Sequence, residues 1–147
     1  MPLNGSCLCG KVQVSVKDDA LPLKPVVCRC TNCQQTAGSP YSLVTIVPED
    51  KVEITGETKA SWNSWADTDT TTTSGNNSKR HFCPECGSPV QTVSPTRAGL
   101  AIIKLGLFAK SDGWKDSIGT PVAQIFTRNQ KPWESLIDGV PAVEGTM

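Results

Sequence analysis

Three cysteines lie within six positions of the stretch PVVCRCTNCQQTAGSP, which covers residues 25–40: Cys28, Cys30 and Cys33. Cysteine thiolates at such short spacing are ligands for a soft metal ion, and the spacing suits both zinc and iron. In catalytic zinc sites, three protein ligands leave a fourth position for water or a substrate atom. The stretch therefore predicts a metal centre with an open position, unless another side chain closes it.

The other four cysteines form two pairs, Cys7-x-Cys9 and Cys83-x-x-Cys86. The second pair, in FCPECGSP, has the pattern of a zinc knuckle, a tight turn that Gly87 permits and that directs two sulfurs to one metal. Its partner pair is either the first pair or two of the middle three cysteines. Pairing it with Cys7 and Cys9 gives a closed structural site, leaves the triplet as a separate centre and uses all seven cysteines.

An open metal held by three thiolates is a weak Lewis acid that suits a soft fourth ligand. A thiol is the natural candidate, because the metal favours its deprotonation. Glutathione is the abundant small thiol of the cell, so the triplet suggests chemistry on thiol adducts. His81, the only histidine, precedes Cys83 by two residues and is expected nearer to the four-cysteine site than to the triplet.

The composition narrows the class of protein. A chain of 147 residues is most simply one domain over residues 1–147. Its 14 basic and 14 acidic residues balance, so neither nucleic acid nor an anionic membrane is the expected partner. The sequence has no long apolar run and no signal-peptide core, which predicts a cytoplasmic protein. In that reducing compartment, seven cysteines are expected to bind metal and not to form disulfides.

The elements that must position these cysteines are predicted to be mainly strands. Period-two alternation and β-branched residues mark residues 11–16, 41–47, 51–55, 100–108 and 121–127 as strands. One short helix is predicted after Cys30, with Thr31 as its N-cap, and another from Pro132, with Trp133 packing the C-terminal segment down. Residues 66–80 are polar and predict a solvated hairpin loop or, alternatively, a lid over a site.

Four segments resemble the glutathione-dependent formaldehyde-activating enzyme family, which also contains centromere protein V. They are GSCLCGKVQVSV, CRCTNCQQTAGSP, RHFCPECGSPV and AQIFTRNQKPWESLIDGVP, in the order of the family and over nearly the whole chain. The resemblance implies a mainly β fold of folded-over sheets, the β-tent type, with two zinc sites and few short helices. It assigns a structural zinc to Cys7, Cys9, Cys83 and Cys86, and a second zinc to the triplet.

The resemblance also implies carbon–sulfur lyase chemistry, the formation or breakdown of S-hydroxymethylglutathione from glutathione and formaldehyde. Two positions depart from the family pattern: Gln34 replaces an arginine that often follows the triplet, and residues 106–110 read GLFAK without the usual acidic residue. These departures affect substrate contacts and not metal ligands. The electrophile is therefore left open between formaldehyde, another aldehyde and an electrophile of natural-product metabolism.

We therefore expect a zinc-dependent carbon–sulfur lyase or thiol-addition enzyme with glutathione as co-substrate. In this interpretation Cys28, Cys30 and Cys33 are catalytic through their metal, which would hold a thiolate beside an electrophilic carbon and stabilise the alkoxide. Arg29, Lys79 and Arg80 are candidates for the carboxylates of the tripeptide. Two alternatives stay open: a carrier that binds glutathione or its adducts without turnover, and a structural zinc module that acts through protein contacts.

Overall fold

The computed structural model describes residues 1–60 and 78–146. Within these ranges the chain has ten strands and two short α-helices, so the predicted mainly β fold is confirmed. The strands are β1 Leu3–Ser6, β2 Gln13–Val16, β3 Pro25–Cys28, β4 Ser42–Pro48, β5 Val52–Thr55, β6 Lys59–Ala60, β7 Lys79–Phe82, β8 Pro89–Val93, β9 Leu100–Lys104 and β10 Ala123–Ile125. The helices are α1 Thr31–Ala37 and α2 Trp114–Ser117.

The strands form two sheets. A three-stranded sheet has the order β1-β2-β5, and a seven-stranded sheet has the order β10-β3-β4-β9-β8-β7-β6. All pairs are antiparallel except β10 with β3. The knuckle with Cys83 and Cys86 lies between β7 and β8 of the large sheet, whereas the pair Cys7 and Cys9 follows β1 of the small one. The two cysteine pairs thus come from different sheets.

The main hydrophobic core lies between one face of the large sheet and the small sheet. The large sheet contributes Val47 of β4 and Ala101 and Ile103 of β9. The small sheet contributes Val14 and Val16 of β2, and all five side chains are almost fully buried. Burial of a Val or Ile side chain stabilises the fold by about 1.5–3 kcal/mol, so this layer supplies much of the hydrophobic stabilisation.

The opposite face of the large sheet carries the polar groups of interest. Side chains alternate along a strand, so the neighbours of Ile103 on β9, Ile102 and Lys104, point away from the core. The register places Val26, Val44 and Lys104 in one cross-strand row. A second row on the same face comprises Ile46, Ile102, Thr92 and Arg80. The triplet lies at the end of this face, because Cys28 is the last residue of β3.

Several predicted boundaries are wrong. The strand predicted over residues 100–108 ends at Lys104, and Leu105–Phe108 forms a 3-10 turn that inserts its apolar side chains into the core. No helix begins at Pro132; turns occupy this region, and Trp133 is 74% exposed and does not pack the segment down. Of the predicted loop, residues 66–77 lie outside the described ranges, and Lys79 and Arg80 belong to β7. No helix in the described ranges is long and apolar enough to cross a membrane.

Candidate metal centres and active site

The four-cysteine cluster has the dimensions of a tetrahedral metal site. The sulfurs of Cys7, Cys9, Cys83 and Cys86 all lie within 4.8 Å of one another. The Sγ atoms of Cys7 and Cys9 are 3.6 Å apart, and those of Cys9 and Cys83 are 3.7 Å apart. A tetrahedron with zinc–sulfur bonds of about 2.3 Å has sulfur–sulfur edges of about 3.8 Å. The four residues therefore fit a zinc ion.

Two turns with left-handed glycines shape this cluster. Gly10 follows Cys9 with φ of 82°, and Gly87 follows Cys86 with φ of 75°, so a β-carbon at either position would strain the turn. The backbone N–H of Val12 donates to Cys7 Sγ at 3.2 Å. The pKa of the Cys86 thiol is lowered to about 5, first by the hydroxyl and the backbone N–H of Ser88 and then by the backbone N–H of Cys9. Such donors stabilise thiolates, the form that binds metal.

The three-cysteine cluster has the same sulfur spacing but three ligands. The Sγ atoms of Cys28 and Cys33 are 3.5 Å apart, and all three sulfurs lie within 4.8 Å of one another. The side chains are buried, and the spacing is far longer than a disulfide bond of about 2.05 Å. In the parts of the chain that the structure describes, no histidine, aspartate or glutamate joins this cluster. These residues fit a zinc ion with one open position.

Helix α1 fixes the triplet. Cys30 is its N-cap, and its Sγ accepts the backbone N–H of Cys33 at 3.2 Å. The prediction that Thr31 caps this helix is therefore wrong: the ligand itself is the cap. Gly38 ends the helix with φ of 61°. One short helix thus sets two of the three sulfurs relative to each other.

Two cations from the sheet approach the triplet. Arg80 Nη1 lies 3.9 Å from Cys33 Sγ, and Lys104 Nζ donates to Ser42 Oγ at 3.0 Å. The pKa of the Cys33 thiol is lowered, first by its hydrogen bonds with the other two cysteines and then by the charges of Lys104 and Arg80. Burial lowers the pKa of Lys104, and the nearby thiolates oppose this effect. The surroundings therefore favour negative charge at the Cys33 sulfur, whereas the pKa values of the Cys28 and Cys30 thiols are raised.

The triplet opens into a cavity of about 500 Å³ on the outer face of the large sheet. Three cations line it, Arg80, Arg97 and Lys104, and no carboxylate does among the described residues. Phe126 closes one side; it is buried beside the triplet and has a φ of 55°, which is rare for a residue other than glycine. The shape and charge of this cavity suit a small anionic molecule with a group that can reach the sulfurs.

A larger cavity of about 810 Å³ lies beside the four-cysteine cluster. Its lining includes Cys7, Cys9 and the exposed Leu8, together with Tyr41. Because the adjacent cluster already has four ligands, this cavity offers no open metal position. Lys104 lines both cavities.

The structure separates the three residues that the sequence suggested as carboxylate ligands. Arg80 lines the triplet cavity, whereas Lys79, the preceding residue of β7, is exposed and does not line it. Arg29 is buried and pairs with Glu134, with Arg29 Nε 3.1 Å from Glu134 Oε1. Its charge is compensated inside the protein and it does not line the triplet cavity, and its contact with a tripeptide carboxylate stays a prediction.

This ion pair is part of a clamp on the triplet loop. The backbone oxygen of Arg29, between two of the ligands, accepts Gln34 Nε2 at 2.9 Å and Asn129 Nδ2 at 3.1 Å. Glu134 also accepts the backbone N–H of Lys131 at 2.6 Å. Burial raises the pKa of Glu134, but this bond, the bond from Arg29 and the charges of Arg29 and Lys131 outweigh that effect and lower it. The C-terminal segment therefore holds the loop that carries the ligands.

Sequence reasoning missed Glu134, Asn129, Thr92 and Lys104. Only Lys104 had a local signal, as a lysine inside the apolar strand LAIIK. His81 is in neither cysteine cluster; its Nδ1 lies 3.1 Å from Thr58 Oγ1. Gln34 stands where the family often has arginine, and its side chain donates a hydrogen bond to the backbone of the triplet loop.

The chain is similar to a known protein family and to a solved structure. The model of the glutathione-dependent formaldehyde-activating enzyme family matches residues 2–129. No curated protein matches the chain. A solved structure of a Rhodobacter sphaeroides protein is 14% identical, with a TM-score of 0.48 over 71% of this chain and 85% of that one. The family match covers most of the chain, and the chain therefore belongs to the glutathione-dependent formaldehyde-activating enzyme family.

Proposed function

We propose that the protein is a zinc-dependent carbon–sulfur lyase or thiol-addition enzyme that acts on glutathione adducts of an aldehyde or another small electrophile. The observation that carries this proposal is the three-cysteine cluster, which has an open position toward a cavity lined by cations. Membership of the family supports glutathione as the thiol. The triplet would hold the catalytic zinc, and the four-cysteine cluster would hold a structural one.

Zinc bound to Cys28, Cys30 and Cys33 would supply an electrophilic centre that favours thiolate over thiol at its open position. In the addition direction the substrate thiol loses its proton to water, its sulfur forms a bond to the carbonyl carbon, the carbonyl π pair moves to oxygen, and this oxygen takes a proton from water. In the lyase direction the hydroxyl proton leaves to water, the carbon–oxygen π bond re-forms as the carbon–sulfur bond breaks, and the leaving thiolate takes a proton from water. No oxidant or reductant is needed in either direction.

The residues of the chain orient the substrate and stabilise its charge. Arg80 and Arg97 line the cavity with positive charge, which suits an anionic thiol such as glutathione. The clamp of Arg29 and Glu134 keeps the ligand loop in place. Buried Phe126 shields the sulfurs from water on one side. These roles are positioning and electrostatic stabilisation, which are large contributions to catalysis.

Turnover tests this proposal directly. Wild-type protein loaded with zinc should accelerate the exchange between free formaldehyde and S-hydroxymethylglutathione, measured by two-dimensional exchange NMR at equilibrium. Cys30→Ser should abolish the acceleration and keep the fold, since serine can still cap α1. A rate equal to that of the uncatalysed reaction, with formaldehyde and a panel of larger aldehydes, would refute the enzyme.

One observation favours a second function, a carrier of glutathione or its adducts. Among the described residues, the lining of the triplet cavity includes no aspartate, glutamate or histidine that could serve as a general base. A carrier would bind glutathione at the triplet, with a change in the visible spectrum of cobalt-substituted protein, and would leave the exchange rate unchanged. The same preparation therefore separates the enzyme from the carrier.

A further inference from the structure

One buried hydroxyl in the triplet cavity lacks a partner. Thr92 is only 7% exposed, and its Oγ1 has no hydrogen-bond partner in the described parts of the chain. Buried polar atoms are almost always paired, because an unpaired one costs free energy relative to water. Thr92 lines the cavity. An unpaired hydroxyl at a cavity wall indicates that a bound molecule completes its hydrogen bonding.

Lys104 lies on the same face of the sheet and close to Thr92. Thr92 is opposite Ile102 on β9, and Lys104 is two residues further along that strand. Such diagonal neighbours lie about 7–8 Å apart, within reach of a long side chain. The ammonium has three donors, and among the described residues its acceptor is Ser42 Oγ. This group therefore has donors left for a ligand in the cavity.

We propose that Thr92 and Lys104 form a carboxylate subsite on the floor of the triplet cavity. The inference rests on the proposed function and sharpens it: the preferred substrate is a thiol, or its aldehyde adduct, with a carboxylate a few bonds from its sulfur. The sulfur lies at the open position of the triplet, and the Thr92 hydroxyl and the Lys104 ammonium both donate to the carboxylate. The cavity lining described here has no acidic residue that would compete for these donors.

A matched pair of thiols tests the subsite. N-acetylcysteine and N-acetylcysteinamide differ only in the carboxylate, and both can be titrated into cobalt-substituted protein and followed by the visible spectrum. The ratio of their dissociation constants in each variant is compared with the ratio in wild type. Thr92→Val and Lys104→Met should each weaken binding of the acid about tenfold and leave the amide unchanged. Lys110→Met, an exposed cation outside this cavity, should leave both unchanged.

Thermal unfolding separates a binding role of Thr92 from a structural one. Thr92→Val keeps the shape of the side chain and removes a hydroxyl that is unpaired in the free protein, so the melting temperature should stay the same or rise. A lower melting temperature with unchanged discrimination between the thiols would show that the hydroxyl serves the fold. That result, or wild-type discrimination in Lys104→Met, would overturn the subsite.

The failure of the subsite can be distinguished from the failure of the proposed function. If the spectrum responds equally to both thiols in wild type and in the variants, thiol binding stands and the subsite is refuted. If neither thiol changes the spectrum, the proposed thiol site is refuted. The subsite is then tested alone with N-acetyl-S-methylcysteine, whose binding is measured by NMR. Equal or absent binding in wild type and Lys104→Met would refute the subsite, and weaker binding in the variant would support it.

Discussion

The two cysteine clusters have the same ligand atoms at nearly the same spacing, but their surroundings differ. In the four-cysteine cluster, Cys9 is exposed, and Val12 and Ser88 supply the hydrogen bonds to sulfur. The triplet is buried, has one ligand fewer and opens into a cavity with three cations. The first joins two turns from different sheets, and the second faces a space for a ligand. Ligand number and surroundings therefore separate a structural site from a candidate catalytic one.

The difference also extends to the nearest ion pairs. Beside the triplet, Arg29 and Glu134 form a pair whose side chains are 3% and 7% exposed. Beside the four-cysteine cluster, Lys11 and Glu85 pair at 3.3 Å with side chains that are 66% and 61% exposed. Buried pairs are costly to break from one side, whereas exposed pairs contribute little. The stronger of the two ion pairs therefore lies beside the loop that carries the triplet.

The largest expected effect comes from removing one ligand of each cluster. Cys83→Ser should unfold the chain, because a structural zinc site supplies about 10 kcal/mol or more, which is comparable to the whole stability of a domain. Cys30→Ser should leave the protein folded with one metal ion. Metal content and circular dichroism check both variants. A folded Cys83→Ser protein, or an unfolded Cys30→Ser protein, would reverse the assignment of the clusters.

Stepwise removal of metal sharpens the same comparison without mutation. A chelator should remove the metal of the triplet first, since that centre has an open position to a cavity, and the protein should stay folded. Loss of the second metal should coincide with unfolding. Metal release and circular dichroism are followed in one titration. Release of both ions in a single step, together with unfolding, would contradict two independent centres.

Breaking the clamp should have the next largest effect. Glu134→Gln leaves the buried Arg29 charge without its counterion and should destabilise the fold by about 3–5 kcal/mol. In cobalt-substituted protein the absorption of the triplet centre should change, whereas that of the four-cysteine centre should not. The double substitution of Arg29 and Glu134 by methionine is the control, since it leaves no unpaired charge and should recover most of the stability. An unchanged spectrum and stability in Glu134→Gln would show that the clamp has no such role.

Substrate recognition gives a smaller effect. Arg80→Gln removes a cation that lines the triplet cavity and should raise the KM for glutathione adducts about tenfold. Lys79→Gln, at the neighbouring position of the same strand, should leave KM unchanged because this side chain does not line the cavity. Steady-state kinetics of the two variants measure the difference. If Arg80→Gln and Lys79→Gln had the same KM, Arg80 would not be part of the substrate site.

The smallest effect is expected at the exposed ion pair. Glu85→Gln should change the free energy of unfolding by about 0.5 kcal/mol or less, because both partners are solvated. Denaturant unfolding measures the free energy of unfolding of Glu85→Gln and of Glu134→Gln under the same conditions. If the two variants were equally destabilised, burial would not be what distinguishes the surroundings of the two clusters.

The sequence predicted the mainly β fold, the grouping of seven cysteines as four and three, and the approximate position of five of the ten strands in the described ranges. These features depend on local properties, namely alternation, turn glycines and ligand spacing. The helix predicted at Pro132 was wrong because local capping signals did not reveal that this segment must reach back to the triplet loop. The run LGLF, residues 105–108, looked like strand because apolar content alone does not distinguish a strand from a buried turn. The single domain over residues 1–147 remains a prediction.

The tertiary structure decided which charged residues face the triplet. Arg29 was adjacent to the ligands in sequence, yet the packing of the C-terminal segment pairs it with Glu134, more than 100 residues away. Thr92 and Lys104 are distant in sequence from the triplet, yet sheet register and alternation place them on the face of the cavity. The sequence by itself determined the candidate metal ligands, because thiolate chemistry and spacing are local. Only the fold determined their surroundings, because burial and cross-strand pairing arise when distant segments meet.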